Sequence, residues 1–299
     1  MNILLTGGSG FVGQNLYNGL EKNYNVLAPS SKELNLLDYQ SVESYINNND
    51  ISIVIHTAIR GGDKVLDTTL RVFAGLIRNI DKVDKIIHFG SGAEYAKTRD
   101  IVKINESKWG AFIPEDHYGL AKYIIHHIIQ HEKKIVNLRL FGVYGKYEGY
   151  ESKFISNAIA KNVCGLPITI KQNVVFDYLF INDLIPIVSH FIDNNHQHSA
   201  YNITPDESIS LTNIIDIINQ IAETPSKVHI VNEGLNFQYT GNNSLLRQEM
   251  PEIQFTSYHE GIAELYDYYR NLREKINRKI LINDEYLKVA KINSYSIHL

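Results

Sequence analysis

The first half of the chain alternates short apolar runs with longer amphipathic stretches. The runs lie at 2–5, 25–28, 52–55, 85–89 and 136–140. Most of their consecutive side chains are apolar, many of them β-branched, which predicts strands covered on both faces. The segments between them, 11–22, 38–49, 67–81 and 118–133, are long enough for crossover helices. Repeated strand–helix–strand order predicts an α/β fold, a doubly wound parallel Rossmann sheet with right-handed crossovers.

Past residue 145 the pattern changes. Residues 152–163 read as a helix, 167–181 as two short strand-like runs, and 210–223 as a helix opened by Ser210 or Thr212. A strand follows at 228–231, then a long helical pattern over 258–278. The division expected is a dinucleotide-binding domain over 1–165, with some later segments interleaved, and a smaller mixed α/β substrate lobe over 166–275. The tail, 276–299, has no clear pattern and reads as a docked segment or a short helix.

Composition changes this picture little but excludes several classes. The 299 residues are 44% hydrophobic and 21% charged, enough to bury a large core. A formal net charge of −4 gives no bulk attraction to nucleic acid or anionic lipid. No run approaches the roughly 20 apolar residues that span a bilayer, and the N-terminus lacks a basic region before its apolar run. The one cysteine, Cys164, rules out an intramolecular disulfide framework and a cysteine-based zinc site. A cytoplasmic protein binding neither membrane nor nucleic acid is expected.

The first candidate chemistry follows the first strand. Thr6-Gly7-Gly8-Ser9-Gly10-Phe11-Val12-Gly13 joins that strand to a helix. Glycines allow a tight turn and close approach of backbone to a pyrophosphate, and the helix N-terminus offers free N–H groups. Gly13 lets the helix pack close on the sheet. A ligand-free glycine turn is the competing reading, and the strand–turn–helix context argues against it. At the end of the second strand no acid appears before Glu33. Ser30, Ser31 and Lys32 suit a ribose 2′-phosphate, which points to NADP, with NAD as the alternative. Thr57 and Ala58, after the third strand, add to the expected dinucleotide contacts, as do Tyr118 and Lys122 further along.

The second candidate is Tyr118-Gly119-Leu120-Ala121-Lys122, a tyrosine and lysine on one helix face. A free phenol ionises near pH ~10 and is a poor base at neutrality; a nearby ammonium lowers that value. A serine hydroxyl must then orient the substrate. Ser91 fits, at the carboxyl end of a strand where ligands bind in open α/β sheets. A solvated Tyr-Lys pair is the competing reading. The glycine loop, the strand-end serine and Pro114 before the helix together favour catalysis.

The Gly-x-x-Gly-x-x-Gly spacing resembles the extended short-chain dehydrogenase/reductase (NAD-dependent epimerase/dehydratase) family, over roughly 1–272. Glu33-Leu34-Asn35-Leu36-Leu37-Asp38 and Ile59-Arg60-Gly61-Gly62 look most like GDP-fucose synthase and its reductase relatives. Arg139–Gly145 and Asp177–Leu184 resemble that family's cofactor and substrate segments. The resemblance implies adenine contacts at Leu37 and Asp38, a nucleotide-activated sugar as substrate, and a homodimer on the helices near 67–81 and 118–133. It also marks Gly92, Ala93, Lys153, Asn157 and Arg247 as substrate contacts.

Departures from the family narrow the chemistry. Its dehydratases carry an acidic pair after the serine, where this chain has Gly92 and Ala93; Glu94 comes one place too late. The Cys and His used for epimerisation correspond to Ala93 and Lys153. A family Asn is Gly142 here. A diphosphate-gripping Arg near Phe176 is missing, leaving Lys153, Lys171 or Arg247 as the replacement. The expected function is a nucleotide-sugar 4-keto reductase, serving surface polysaccharide synthesis. The alternatives are a 4-epimerase with tightly bound NAD and a non-catalytic regulator on the same fold. His127 and His131 have the i, i+4 spacing of metal ligands, but no glutamate stands between them as a zinc hydrolase needs; no metal is expected.

Overall fold

In the first half the elements run β1 (Asn2–Thr6), α1 (Phe11–Leu20), β2 (Asn25–Leu27), α2 (Tyr39–Asn48), β3 (Ile51–His56) and α3 (Val65–Ile77). They continue through β4 (Lys85–Ser91), β5 (Ile101–Ile104), α4 (His117–Ile129), β6 (Ile135–Leu140) and β7 (Gly142–Tyr144). The second half holds α5 (Phe154–Val163), β8 (Ile168–Asn173), β9 (Val175–Phe176), β10 (Tyr178–Phe180), α6 (Leu184–Asp193) and β11 (Ala200–Ile203). It closes with β12 (Ile209–Ser210), α7 (Leu211–Ile221), β13 (Val228–Leu235), β14 (Tyr239–Gly241), α8 (Ser244–Glu249), α9 (Tyr258–Asn271), α10 (Arg278–Ile282) and α11 (Glu285–Val289). These come from a computed structural model, which describes residues 1–59, 61–290 and 292.

Six strands form the central sheet in the order β11-β6-β4-β3-β1-β2, all parallel. The order reverses between β1 and β3, which opens a crevice at their carboxyl ends. Successive side chains explain why the strands are apolar throughout. Ile3 and Leu5 pack into one core cluster with Leu16 and Leu20 of α1, while Leu4 between them packs into the other with Val42, Phe73 and Ile125. A strand in that position meets protein on both faces, so alternation disappears.

The expected doubly wound sheet is present, and its sixth strand was not legible. β11 is short, and its Tyr201 and Asn202 hide an apolar pattern; register with β6 places them in the sheet. The segment 166–275 therefore returns a strand to the first domain, and α6 with it: Ile185 of α6 lies against Gly19 of α1. The runs over 167–181 are three strands, β8, β9 and β10. The long helix expected over 258–278 ends at Asn271; a 3₁₀ turn, Arg273–Lys275, intervenes, and Asn277 caps α10 by accepting from the Lys279 N–H. Ser210 caps α7 as expected, accepting from Asn213 N–H. Among the described residues no helix is long and apolar enough to cross a membrane. Arg60 and most of 291–299 lie outside the described residues.

Candidate active site

The glycine loop bridges β1 and α1. Gly7 has φ +78°, a left-handed conformation that disfavours side chains, and a Cβ there would stand 2.7 Å from the Ala58 backbone. At Gly13 a Cβ would stand 2.1 Å from the Gly7 carbonyl oxygen. Gly10 is the α1 N-cap, and no side chain satisfies the first amides of the helix. Those amides face a cavity of about 710 Å³. A glycine cradle, open helix amides and a long crevice fit a dinucleotide with its pyrophosphate on α1.

Of the expected cofactor contacts, Gly7, Ser9, Gly10, Phe11, Val12, Gly13, Ser30, Ser31, Leu37, Thr57 and Ala58 line this cavity. Thr57 is anchored by donating from its hydroxyl to the Thr6 carbonyl, 2.7 Å. Lys32 is exposed and stands outside the lining. Asp38 also stands outside it and caps α2, accepting from the Gln40 N–H at 3.0 Å. Asn35 and Leu36 of the Glu33–Asp38 stretch line it as well, as do Thr68 and Val72. Glu33 folds back so that its carboxylate accepts from the Ser30 N–H, 2.8 Å, and this bond holds its pKa below the usual value.

Ser91 ends β4 and starts a tight 3₁₀ turn, Gly92–Tyr95. Its hydroxyl accepts from the Ala93 N–H at 3.1 Å, and Glu94 accepts from the Ser91 N–H at 3.0 Å. Glu94 is wholly buried, as is Arg139 of β6, which donates to it from Nε at 2.6 Å. Arg139 also donates to the Tyr95 hydroxyl at 3.0 Å, and Tyr95 donates to Asn202 of β11 at 2.8 Å. The serine turn is thus tied to the middle and edge of the sheet. Glu94 points into this network and away from chemistry.

α4 brings the phenol. Asp116 caps it by accepting from the Gly119 N–H at 2.8 Å. At Gly119 a Cβ would stand 2.8 Å from the Ala93 carbonyl, so glycine lets α4 close on the serine turn. Tyr118 then comes near Ser91, whose hydroxyl pulls the phenol's pKa down. Lys122, one turn on, donates to the Phe89 carbonyl at 2.6 Å, and burial lowers its pKa to about 8. The expected depression of Tyr118 by Lys122 is absent from this arrangement. Burial raises the phenol's pKa, Ser91 offsets part of the rise, and the ammonium faces a carbonyl. A neutral phenol at this position is a proton donor.

Tyr118 and Ala93 also face a second cavity, about 880 Å³, walled by Phe141, Phe176, Tyr178 and Tyr239. Lys97, Arg99, Lys153 and Lys171 bring positive charge to it. Of the expected substrate contacts, Ala93 and Lys153 line this cavity, and Gly92 lies beside Ser91 without lining it. Asn157 is buried, donating to the Tyr150 carbonyl at 2.8 Å. Arg247 binds Asp206 and donates to the Ile253 carbonyl at 2.5 Å, outside the cavity. The tail is part of the wall: Tyr286 and Val289 line it, and Lys171 donates to the Ala290 carbonyl at 2.6 Å.

Two wall residues escaped the sequence. Glu148 is buried, accepts from the Ser156 hydroxyl at 2.5 Å, and is pushed by burial up to about 7. Its only signal was position, just past Arg139–Gly145. Tyr239 had no signal at all. Among the histidines, His126 packs edge-on against Trp109 with ring centroids 4.7 Å apart, and His127 and His131 meet edge-to-face at 5.8 Å. No group of three or more potential metal ligands occurs among the described residues.

The sequence model of the NAD dependent epimerase/dehydratase family matches residues 3–204. GDP-L-colitose synthase of Yersinia pseudotuberculosis is 26% identical over 229 residues, 65% of this chain and 73% of that protein. Among solved structures, a GDP-mannoheptose C4 reductase from Campylobacter jejuni with NADP bound superposes with TM-score 0.78 at 17% identity, covering 90% of this chain and 98% of that one. UDP-glucose 4-epimerase from Thermotoga maritima gives TM-score 0.78 at 18% identity, covering 91% and 99%. The chain therefore belongs to the NAD dependent epimerase/dehydratase family and is an enzyme of NAD(P)-dependent type.

Proposed function

We propose that this enzyme is a nucleotide-sugar 4-keto reductase that uses NADPH. The observation that carries the reading is the Tyr118 phenol on the wall of the larger cavity with Ser91 close behind it, and Gly92 and Ala93 after the serine in place of an acid and a base. The dinucleotide, when bound, supplies the hydride for C4. Ser91 donates to the carbonyl oxygen and Tyr118 gives the alkoxide its proton, so a ketone becomes a secondary alcohol. Lys122 would hold the ribose of the cofactor.

Lys97, Arg99, Lys153 and Lys171 suit the diphosphate of a nucleotide sugar. Relatives named for GDP-linked sugars support the same class. Ser30 and Ser31 on the cavity wall, with Lys32 beside them, support NADP. The reading carries a cytoplasmic enzyme in surface polysaccharide synthesis. It also carries a homodimer on α3 and α4, which expose Asp67, Arg71 and Ile128; a monomer in sedimentation velocity overturns that part.

The test is NADPH oxidation with GDP-, UDP-, dTDP- and CDP-linked 4-keto sugars, followed by product configuration. Turnover with at least one is expected, and turnover with none sinks the reading. A second reading, a 4-epimerase with tightly held NAD, draws on the Glu33 carboxylate at Ser30, which repels a 2′-phosphate. Purified protein that releases stoichiometric NAD on denaturation would establish it over the first.

A further inference from the structure

A second phenol stands at the reaction centre, brought from the other lobe. Tyr239 opens β14 and is fixed there by pairing with Ile101 of β5 and Phe176 of β9. Its ring is enclosed by Phe141 at 4.9 Å and Phe176 at 5.9 Å between centroids, with the Lys97 ammonium 4.1 Å from the ring centre. Only 5% of the residue is exposed. The hydroxyl lies beside Ser91, yet it has no well-formed hydrogen bond among the described residues.

Gly92 makes the space for it. A Cβ at that position would stand 2.5 Å from the Tyr239 oxygen and 2.7 Å from the Phe141 ring. Glycine after Ser91 thus admits a phenol from β14 beside the serine. The aromatic box itself needs only a ring. A buried hydroxyl without a partner costs about 1–3 kcal/mol, so phenylalanine would serve packing better. The hydroxyl makes sense where something entering the cavity accepts from it. Burial also drives the Tyr239 pKa well above the ordinary phenol value, so this group stays protonated and serves as a donor.

Tyr239 and Tyr118 line the same cavity, and the Ser91 hydroxyl is close to each of them. Ser91 and Tyr118 share one acceptor, the reacting carbonyl oxygen, which leaves Tyr239 for a neighbouring oxygen. On a 4-keto hexose that neighbour is the C3 hydroxyl, because C5 bears the ring oxygen and C6. We propose that Tyr239 donates a hydrogen bond to the C3 hydroxyl of a nucleotide-linked 4-keto sugar and thereby selects substrates that carry it. This rests on the keto-reductase reading.

The test crosses enzyme and substrate. Wild type and Tyr239→Phe are assayed by NADPH oxidation with a GDP-linked 4-keto-6-deoxyhexose and its 3-deoxy counterpart, then with the UDP-, dTDP- and CDP-linked pairs. Wild type is expected to favour the 3-hydroxy sugar about tenfold to a hundredfold in kcat/KM, the roughly 1–3 kcal/mol of an unpaired hydroxyl expressed as a ratio, and Tyr239→Phe to lose most of that preference. The variant is also expected to melt at the same temperature as wild type or higher, since it removes an unpartnered hydroxyl. Equal preference in both proteins overturns the proposal, as does a wild type indifferent to the C3 hydroxyl. A variant that melts several degrees lower marks the hydroxyl as structural and overturns it too. If wild type reduces no sugar of either kind, the reductase reading itself has failed, and this proposal falls with it.

Discussion

The two cavities, one at the glycine loop and one at Tyr118, are built by different means. The smaller is backbone-shaped: glycines between β1 and α1 press on the end of β3, and most of its wall comes from two short stretches, 6–37 and 57–72. The larger is shaped by side chains from β7, α5, β8, β9, β14 and α11, scattered from residue 93 to residue 290. A cofactor shared by many enzymes is held by a local motif, whereas a particular substrate is held by what the rest of the chain brings to it. If this division is right, substitutions should separate binding of dinucleotide from chemistry on the sugar.

The largest separation is expected at Tyr118. Tyr118→Phe removes the proton donor and leaves the glycine loop untouched, so reductase turnover falls about 10²- to 10⁴-fold while the dinucleotide dissociation constant stays within a few-fold. Single-turnover kinetics with a fluorescence titration checks both numbers. Equal losses in binding and turnover would erase the distinction between the cavities. Glu94→Gln acts behind the serine turn. It leaves the Arg139 guanidinium buried without its carboxylate, and stripping one partner from a buried pair costs roughly 3–5 kcal/mol. Urea denaturation measures this, and turnover should fall as well because Glu94 holds the Ser91 N–H.

Glu148 tests the larger cavity alone. Its carboxyl titrates at about 7, against an ordinary 4.5. The folded pKa is raised, so the stabilising contribution is complete below 4.5 and is lost as pH rises through 7. Across that window the loss is roughly 3 kcal/mol. Glu148→Gln stays neutral and keeps an acceptor for Ser156. Its stability relative to wild type should therefore climb from pH 5 to pH 8, by an amount read from denaturant midpoints. A difference that stays flat with pH would show that Glu148 is already charged in the fold.

The same division explains what could be read in advance. Gly7, Gly10 and Gly13 are legible because their need is local, a turn and a helix start within eight residues of chain. Ser91 and Tyr118 are legible because a strand end and a helical i, i+4 spacing are local too. β11 was missed because its strand character comes from pairing with β6 and not from its own Ala-Tyr-Asn-Ile. Tyr239 and Glu148 were missed for a stronger reason. A tyrosine opening a three-residue strand and a glutamate in a loop become site residues only when lobes from distant parts of the chain close on one another. Asn157 and Arg247 show the converse: both suited substrate by position, and both are engaged elsewhere, with Tyr150 and with Asp206 and Ile253.

Gly13→Ala gives the smallest effect and the sharpest view of the backbone-built cavity. The new methyl would stand 2.1 Å from the Gly7 carbonyl oxygen, which belongs to main chain and cannot swing aside as a side chain would. Either the loop or α1 must shift. Overpacking of this kind costs about 1–3 kcal/mol, and the shift disturbs the amides that face the pyrophosphate. The dinucleotide dissociation constant should rise about tenfold to a hundredfold, converting the same 1–3 kcal/mol at about 1.4 kcal/mol per decade. At saturating dinucleotide the chemical step should return to near the wild-type rate, since Ser91, Tyr118 and Lys122 ride on β4 and α4, whose positions do not depend on that turn. Unchanged affinity would mean that side chains such as Ser30 and Ser31, and not the loop backbone, carry the binding. The contrast between the two cavities would then be one of sequence distance alone.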